Sequence, residues 1–285
     1  MTIHQKKNIK KSIFLWFIIF SHILPVIVSA FYDKANHSSP IFNNVKLSDP
    51  NYWFWSFAWW SAWTSLITVP WAIYKLFNLN KNKNSGFKEQ MWDIIVAEAN
   101  FISGVIFCFG GFLLTIPFKK SQAIYPLLGA VKPIYVWFFY NFFWHFLAPR
   151  LVFYYFWSYC KTDKLIKNKA LGLITNLFNP TIYFLYVIIR PLITNSFKSS
   201  SNLPHRYPTN YPYPPFFWIV GQFANKKELE LGKSKLLCFS WKPSRVSGLS
   251  WLAATFVLWY IIFSLLFSLF VKINKKKNNL VIEFK

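Results

Sequence analysis

Long apolar runs alternate with short lysine-rich segments along this chain. A membrane-spanning helix needs about 20 mostly apolar residues. The stretches that meet this length are 12–32, 52–77, 93–118, 133–159, 171–196 and 249–271. Strands of a membrane barrel are about 10 residues long and alternate polar with apolar positions, whereas these runs are continuous. The pattern predicts an all-α, polytopic membrane protein with six transmembrane helices, forming a single integral membrane domain over residues 1–285.

The lysines between these runs indicate an orientation. Short cytoplasmic loops are enriched in Lys and Arg, while long loops cross the membrane largely regardless of charge. The short segments on one side carry most of the bases: Lys6, Lys7, Lys10, Lys11, Lys75, Lys81, Lys83, Lys88, Lys161, Lys164, Lys167, Lys169, Lys272, Lys275, Lys276, Lys277 and Lys285. Both termini are therefore expected in the cytoplasm and the loop 197–248 outside it, in a multi-pass protein of the cell membrane.

The first run has two interpretations. It follows four lysines and ends near Val28-Ser29-Ala30, which resembles the cleavage site of a signal peptide. It is also long for the apolar part of a signal peptide and precedes a chain with further spans, as a retained anchor would.

Composition agrees with a membrane protein and excludes some functions. The net charge is +23, yet only 14% of residues are charged and 54% are hydrophobic, against about 25% charged in soluble domains. The bases lie between apolar runs rather than on a soluble face, so no nucleic-acid partner is expected. Cys108, Cys160 and Cys238 show no disulfide or metal spacing, and no cofactor or metal is expected.

The stretch Asn141-Phe-Phe-Trp-His-Phe-Leu-Ala-Pro-Arg150 carries the main candidate chemistry. It places His145 inside an apolar run, and an ionisable group at membrane depth is costly enough to indicate a functional site or a buried partner. Asn141 lies one turn earlier and is expected to hydrogen-bond the imidazole. A histidine bonded to a neighbouring helix for packing remains the alternative.

The second run carries hydroxyls on one helical face, at Ser61, Thr64, Ser65 and Thr68. Small polar residues often form a packing surface between membrane helices. The alternative is a face that turns a nucleophile toward His145. In the third run, Asp93 is expected to contact water, and Glu98 to pair with a base, orient a histidine or line a water-filled vestibule.

Three motifs resemble the androgen-induced protein family of six-span membrane proteins and its bacterial relatives. His145-Phe-Leu-Ala-Pro149 resembles the family's histidine-to-proline signature. Asn179-Pro-x-x-Tyr-x-x-Tyr-x-x-x-Arg190 resembles the span that follows. Tyr211-Pro-Tyr-Pro-Pro-Phe216 resembles its proline-rich loop. The order and spacing agree from about residue 12 to 271.

This resemblance implies an intramembrane hydrolase of fatty acid esters of hydroxy fatty acids, with a threonine nucleophile on the second span and a histidine on the fourth. The histidine corresponds to His145, but Ala58 stands where the threonine belongs. The remaining nucleophile candidates are Ser61, Thr64 and Ser56. Arg190 would hold a fatty-acid carboxylate, with Asn141, Tyr183 and Tyr186 also binding substrate.

Two functions therefore follow as expectations. The first is a lipid ester hydrolase around a lipid-accessible central cavity, in which His145 is the general base. The second is a non-catalytic protein on the same scaffold that binds lipid or another small molecule, which Ala58 favours. A secondary transporter is a third interpretation, supported only by Glu98 and His145 as intramembrane ionisable groups.

Overall fold

The computed structural model describes residues 3–36, 60–79, 85–105, 122–125, 130–133, 139, 142–196 and 245–283. Its elements, in chain order, are α1 (Ile3–Asn36), α2 (Trp60–Phe77), α3 (Phe87–Val105), β1 (Gln122–Tyr125), β2 (Ala130–Pro133), a π-helical segment (Phe142–Leu147), α4 (Ala148–Tyr159), α5 (Asp163–Lys167), α6 (Lys169–Asn176), α7 (Phe178–Ser196) and α8 (Arg245–Glu283). Each of the six predicted spans thus overlaps at least one helix.

Helix α3 lies at the centre of this part of the molecule. It packs against α2, α4, α5, α6, α8 and the π-helical segment. Buried residues occur on every side of it, at Gln90, Met91, Asp93, Ile94, Val96, Ala97, Glu98, Ala99, Asn100, Ile102 and Ser103. A helix buried all round normally carries only apolar residues. Five of these side chains are polar or charged at 0–1% exposure, so each needs a partner on a neighbouring helix.

Burial in this fold differs from that of a typical soluble protein, because polar and charged side chains lie in the interior beside the hydrophobic core. Asp93, Glu98, Asn100, Asn176 and Asn274 are buried, whereas soluble proteins keep such side chains mostly at the surface. Large apolar side chains instead cover the exterior of the helices. Examples from five elements are Trp16, Phe77, Tyr154, Phe178 and Leu265.

Among the described residues, two helices are long and apolar enough to cross a membrane. They are Gln5–Val28 within α1 and Phe256–Asn274 within α8. Only 33% of an 18-residue apolar stretch of the first helix, and 28% of such a stretch of the second, is buried inside the protein. The core helix of a soluble protein would be mostly buried, so the apolar exteriors of these helices favour membrane association.

The helices depart from the predicted spans in two places. The fourth span is not one regular α-helix, because its described residues 142–159 consist of the π-helical segment followed by α4, which starts at Ala148. The fifth is divided at Leu177 into α6 and α7. We expected Pro180 itself to kink this span. Instead, the division precedes Pro180 by less than a turn, which places the proline in the first turn of α7, where a backbone N–H is not needed.

A short antiparallel hairpin lies between α3 and the π-helical segment. Gln122 pairs with Pro133 and Tyr125 with Ala130. The all-α prediction did not include these strands. The hairpin falls in the segment expected to join the third and fourth spans. All described elements longer than six residues are helices.

Candidate functional site

His145 contacts Ser103 of α3 through one ring nitrogen. Its Nδ1 atom lies 2.7 Å from the Ser103 carbonyl oxygen and 3.0 Å from Ser103 Oγ. The Ser103 hydroxyl can donate to the carbonyl of Trp144, at 3.3 Å. A carbonyl oxygen only accepts hydrogen bonds, so Nδ1 carries the proton and Nε2 is the basic nitrogen of a neutral ring. The imidazole is thus fixed in one tautomer by the backbone of α3.

Pro149 explains why the helix is irregular at His145. In a regular α-helix the amide of residue 149 would bond to the carbonyl of residue 145, and proline has no N–H to donate. The π-helical segment ends two residues before this proline. Such segments occur mostly as single turns within helices, often at functional sites. Pro149 therefore prevents this regular α-helical hydrogen bond at the point where the His145 side chain meets α3.

Gly104 allows α3 to approach this irregular turn. A Cβ atom at position 104 would lie 3.4 Å from both the His145 carbonyl oxygen and Pro149 Cβ. That separation is tighter than most real Cβ contacts. The glycine thus sets the close approach that brings the Ser103 carbonyl to the imidazole.

A groove of about 570 Å³ adjoins His145. Its walls are mainly aromatic and aliphatic. The residues that line it are Phe101, Gly104, Val105, His145, Phe146, Pro149, Arg150, Phe153, Tyr154 and Trp157. We expected a lipid-accessible central cavity. Several of these side chains are exposed, and the groove opens on the outside of the helices.

Arg150 supplies a positive charge at this groove. Its guanidinium lies 3.4 Å from the centre of the Phe146 ring, and Nη1 donates to the Phe146 carbonyl at 3.2 Å. The side chain is exposed, and cation–π stacking holds its planar group in place. The groove therefore combines a long apolar surface with an imidazole and one fixed cation.

Of the candidate nucleophiles on the second span, Thr64 is the one whose side chain lies within the described residues. Thr64 is 1% exposed, and its Oγ1 donates to the Trp60 carbonyl at 2.8 Å within α2. It makes no hydrogen bond to His145. Ser61 lies in α2, but its side chain is outside the described part of the structure, as are the whole of Ser56, Ala58 and Asn141.

The predicted substrate-binding residues of the fifth span lie in α7. Tyr183 is 1% exposed and packs edge-on against Trp60, with ring centroids 4.7 Å apart. Tyr186 stacks near Trp63 at 5.4 Å. These rings belong to the packing between α2 and α7. Arg190 is also in α7, but its side chain is outside the described residues.

A second buried histidine pairs with the hydroxyl face of α2. His22 Nδ1 lies 3.0 Å from Ser65 Oγ, and both residues are at most 5% exposed. Asn100 of α3 adjoins the His22 ring, and its Nδ2 donates to Thr68 Oγ1 at 2.9 Å. Sequence reasoning considered Ser65 and Thr68 but missed His22. The signal was present, since His22 is an ionisable residue inside the first apolar run.

Two of the three acidic residues of α3, Asp93 and Glu98, were singled out from the sequence, and both have well-defined partners. Asp93 was expected to contact water, but it is 1% exposed and accepts a hydrogen bond from Trp71 Nε1 at 2.7 Å. Lys75 Nζ lies 2.8 Å from its carboxylate. Glu98 is fully buried and accepts from Asn176 Nδ2 at 2.7 Å. Neither carboxylate contacts a histidine in the described region, and no described group of His, Cys, Asp and Glu suits a metal ion.

We compared the chain with protein families, curated proteins and solved structures. No protein-family model matches the sequence, and neither a curated protein nor a solved structure is significantly similar to it.

Proposed function

We propose that the chain is a multi-pass membrane protein with six spans and with its lysine-rich ends in the cytoplasm. Support comes from the paired polar side chains in the interior and from the large apolar side chains exposed on the helices. In lipid, apolar side chains are stable on the exterior, while polar groups are costly unless they pair inside the bundle. Glu98 with Asn176 and Asn100 with Thr68 are such pairs. Soluble monomers rarely expose large contiguous apolar patches.

We infer that the groove beside His145 binds a fatty-acyl lipid. The observation that carries this inference is the composition of the groove. Its volume is about 570 Å³, its walls are mainly aromatic, and His145 and Arg150 are among its lining residues. Apolar walls favour an acyl chain through the area that they remove from water. Arg150 suits a carboxylate or ester oxygen, because a guanidinium presents several donors in one plane.

Hydrolysis of an ester in this groove is a second candidate function. It is favoured by the contact of His145 Nδ1 with the Ser103 carbonyl, which leaves Nε2 as the basic nitrogen. A fixed, neutral imidazole can act as a general base toward a hydroxyl or water within hydrogen-bond reach. Ser61 and Ser56 remain the candidate nucleophiles of the second span, and a water activated by His145 is the alternative.

Binding is tested by analysis of the lipids that co-purify with the protein. The full chain, extracted in a neutral detergent, is expected to retain fatty-acyl lipid that mass spectrometry detects. Phe146→Ala removes a groove wall and is expected to reduce the retained lipid several-fold. Phe178→Ala is the matched control, because Phe178 is equally an exposed phenylalanine but does not line the groove. Equal retention by both variants would contradict the proposal.

Hydrolysis is tested separately with an ester of a hydroxy fatty acid. Turnover by the purified protein, lost in His145→Ala, would support the enzyme. Turnover that survives His145→Ala would show that this mechanism is wrong. Lipid retention without turnover, together with no labelling by a serine-reactive fluorophosphonate, would identify the protein as a non-catalytic lipid binder.

A further inference from the structure

A second cavity lies at the lysine-rich end of the helices. It has a volume of about 190 Å³ and is formed by α1, the end of α2, the start of α3 and the end of α4. Tyr159 and Cys160, at the end of α4, are among its walls. His145 is about fourteen residues earlier, which corresponds to roughly 20 Å along a helix. This cavity, called here the basic pocket, is therefore separate from the groove beside His145.

The charges around the basic pocket are not balanced. Lys75 lies 2.6 Å from Glu89 Oε1 and 2.8 Å from Asp93 Oδ1, so one cation contacts both carboxylates of the pocket. Lys11 and Lys161 also line it. Neither forms an ion pair with another described residue. The pocket consequently has three lysines for two carboxylates.

Lys11 is the clearest sign of a missing partner. The side chain is only partly exposed, and its one described contact is with the Tyr159 ring, whose centre lies 5.5 Å from Nζ. An ammonium group that is partly removed from water is unfavourable unless it is paired. An anion in the pocket would provide that pairing.

Neutral hydrogen-bond donors surround the same space. Tyr155 is only 3% exposed and lines the pocket, and its hydroxyl makes no hydrogen bond to another described residue. Ser85 Oγ accepts from Gln90 Nε2 at 3.3 Å, which leaves the serine hydrogen available to donate. Burial raises the pKa of the Cys160 thiol, so this wall residue adds no negative charge near neutral pH.

We propose that the basic pocket binds a phosphoryl group. Lys11, Lys161 and the hydroxyls of Tyr155 and Ser85 offer donors from several elements, and a tetrahedral phosphate can accept from several directions at once. A water occupies about 30 Å³ of liquid, so about 190 Å³ accommodates a phosphoryl group with a few waters. The group comes either from the headgroup of an anionic phospholipid or from free phosphate. This site goes beyond the proposed lipid groove and does not depend on it.

The experiment uses the full chain in a neutral detergent, titrated by calorimetry with two probes. Dihexanoyl phosphatidic acid tests the headgroup source, and inorganic phosphate tests the free anion. Binding of at least one probe is expected. Lys11→Gln and Tyr155→Phe should each weaken it about tenfold, since a hydrogen bond to a charged group contributes enough for such a change. Lys11→Arg keeps the charge and should retain most of the affinity.

Lys10→Gln is the matched control. It makes the same change in net charge one residue away, at an exposed position that does not line the pocket, and should bind as tightly as the unchanged protein. Binding of phosphatidic acid alone identifies a lipid headgroup as the ligand, and binding of both probes shows that the phosphoryl group is sufficient. The proposal is overturned if neither probe binds, or if Lys11→Gln and Tyr155→Phe both bind like Lys10→Gln. Tyr155→Phe removes a single oxygen, so it tests the pocket even if Lys11→Gln does not fold.

Discussion

His22 of α1 and Ser65 of α2 are joined by a side-chain contact of 3.0 Å between Nδ1 and Oγ. Both groups are buried, so neither can exchange this contact for water without separation of the helices. The pair therefore couples α1 to the hydroxyl face of α2. From the sequence, this face was either a packing surface between helices or a face that turns a nucleophile toward His145.

Ser65→Ala is expected to destabilise the protein. The substitution removes a partner from a buried imidazole nitrogen, which costs about 1–3 kcal/mol. Thermal unfolding in detergent, followed by tryptophan fluorescence, measures the loss. Ser21→Ala is the control, because the Ser21 hydroxyl bonds only to the Ile18 carbonyl of its own helix. Equal effects of the two substitutions would show that the interhelical contact contributes nothing.

Asp93→Leu is expected to be among the most destabilising single changes at the lysine-rich end. It leaves Lys75, whose side chain is 11% exposed, with Glu89 as its one remaining counter-ion. Removal of one partner from a buried ion pair typically costs about 3–5 kcal/mol. The double substitution Lys75→Met with Asp93→Leu should recover the part of the loss that comes from the unpaired ammonium group. It does not restore the partners of Trp71 Nε1 and Glu89. A double variant as unstable as Asp93→Leu alone would contradict this account.

Gly172→Ala is expected to destabilise the contact between α6 and α8. A Cβ atom at position 172 would meet Phe267 Cζ at 2.7 Å, and Phe267 is fully buried. Forcing an extra carbon into a packed interior typically costs about 1–3 kcal/mol. Gly86→Ala, where a Cβ meets nothing within 4 Å, should leave the unfolding temperature nearly unchanged. Similar shifts in both variants would indicate that the close approach at Gly172 is unimportant.

Lipid binding in the groove should depend on Gly104 more than on the Ser103 side chain. Ser103→Ala keeps the carbonyl that lies 2.7 Å from His145 Nδ1, so the ring keeps its orientation and lipid retention is preserved. Gly104→Val places a branched side chain against the His145 carbonyl and Pro149, which moves α3 away and should reduce retention several-fold. Lipid analysis of the two purified variants checks this. The reverse order of effects would show that the Ser103 hydroxyl, rather than the backbone, holds the imidazole.

The sequence predicted where helices would form, because hydropathy is a property of consecutive residues. Helices α1, α2, α3, α7 and α8 each overlap one of the apolar runs predicted to be spans. The six-span topology and the cytoplasmic ends stay predictions. The hairpin of β1 and β2 was not predicted, because residues 119–132 were assigned only as the loop between the third and fourth spans. Their apolar stretch, residues 123–131, is too short to cross a membrane.

The pairing of the polar side chains came only from the tertiary structure. The sequence by itself determined that His22, Asp93, Glu98 and His145 lie in or beside apolar runs. It did not show that Asp93, which was expected to contact water, is buried. It did not determine that His22 meets Ser65, that Glu98 meets Asn176, or that His145 meets a backbone carbonyl. Those contacts depend on how each helix is rotated and how closely it approaches its neighbour, and the residues that meet are far apart in the chain.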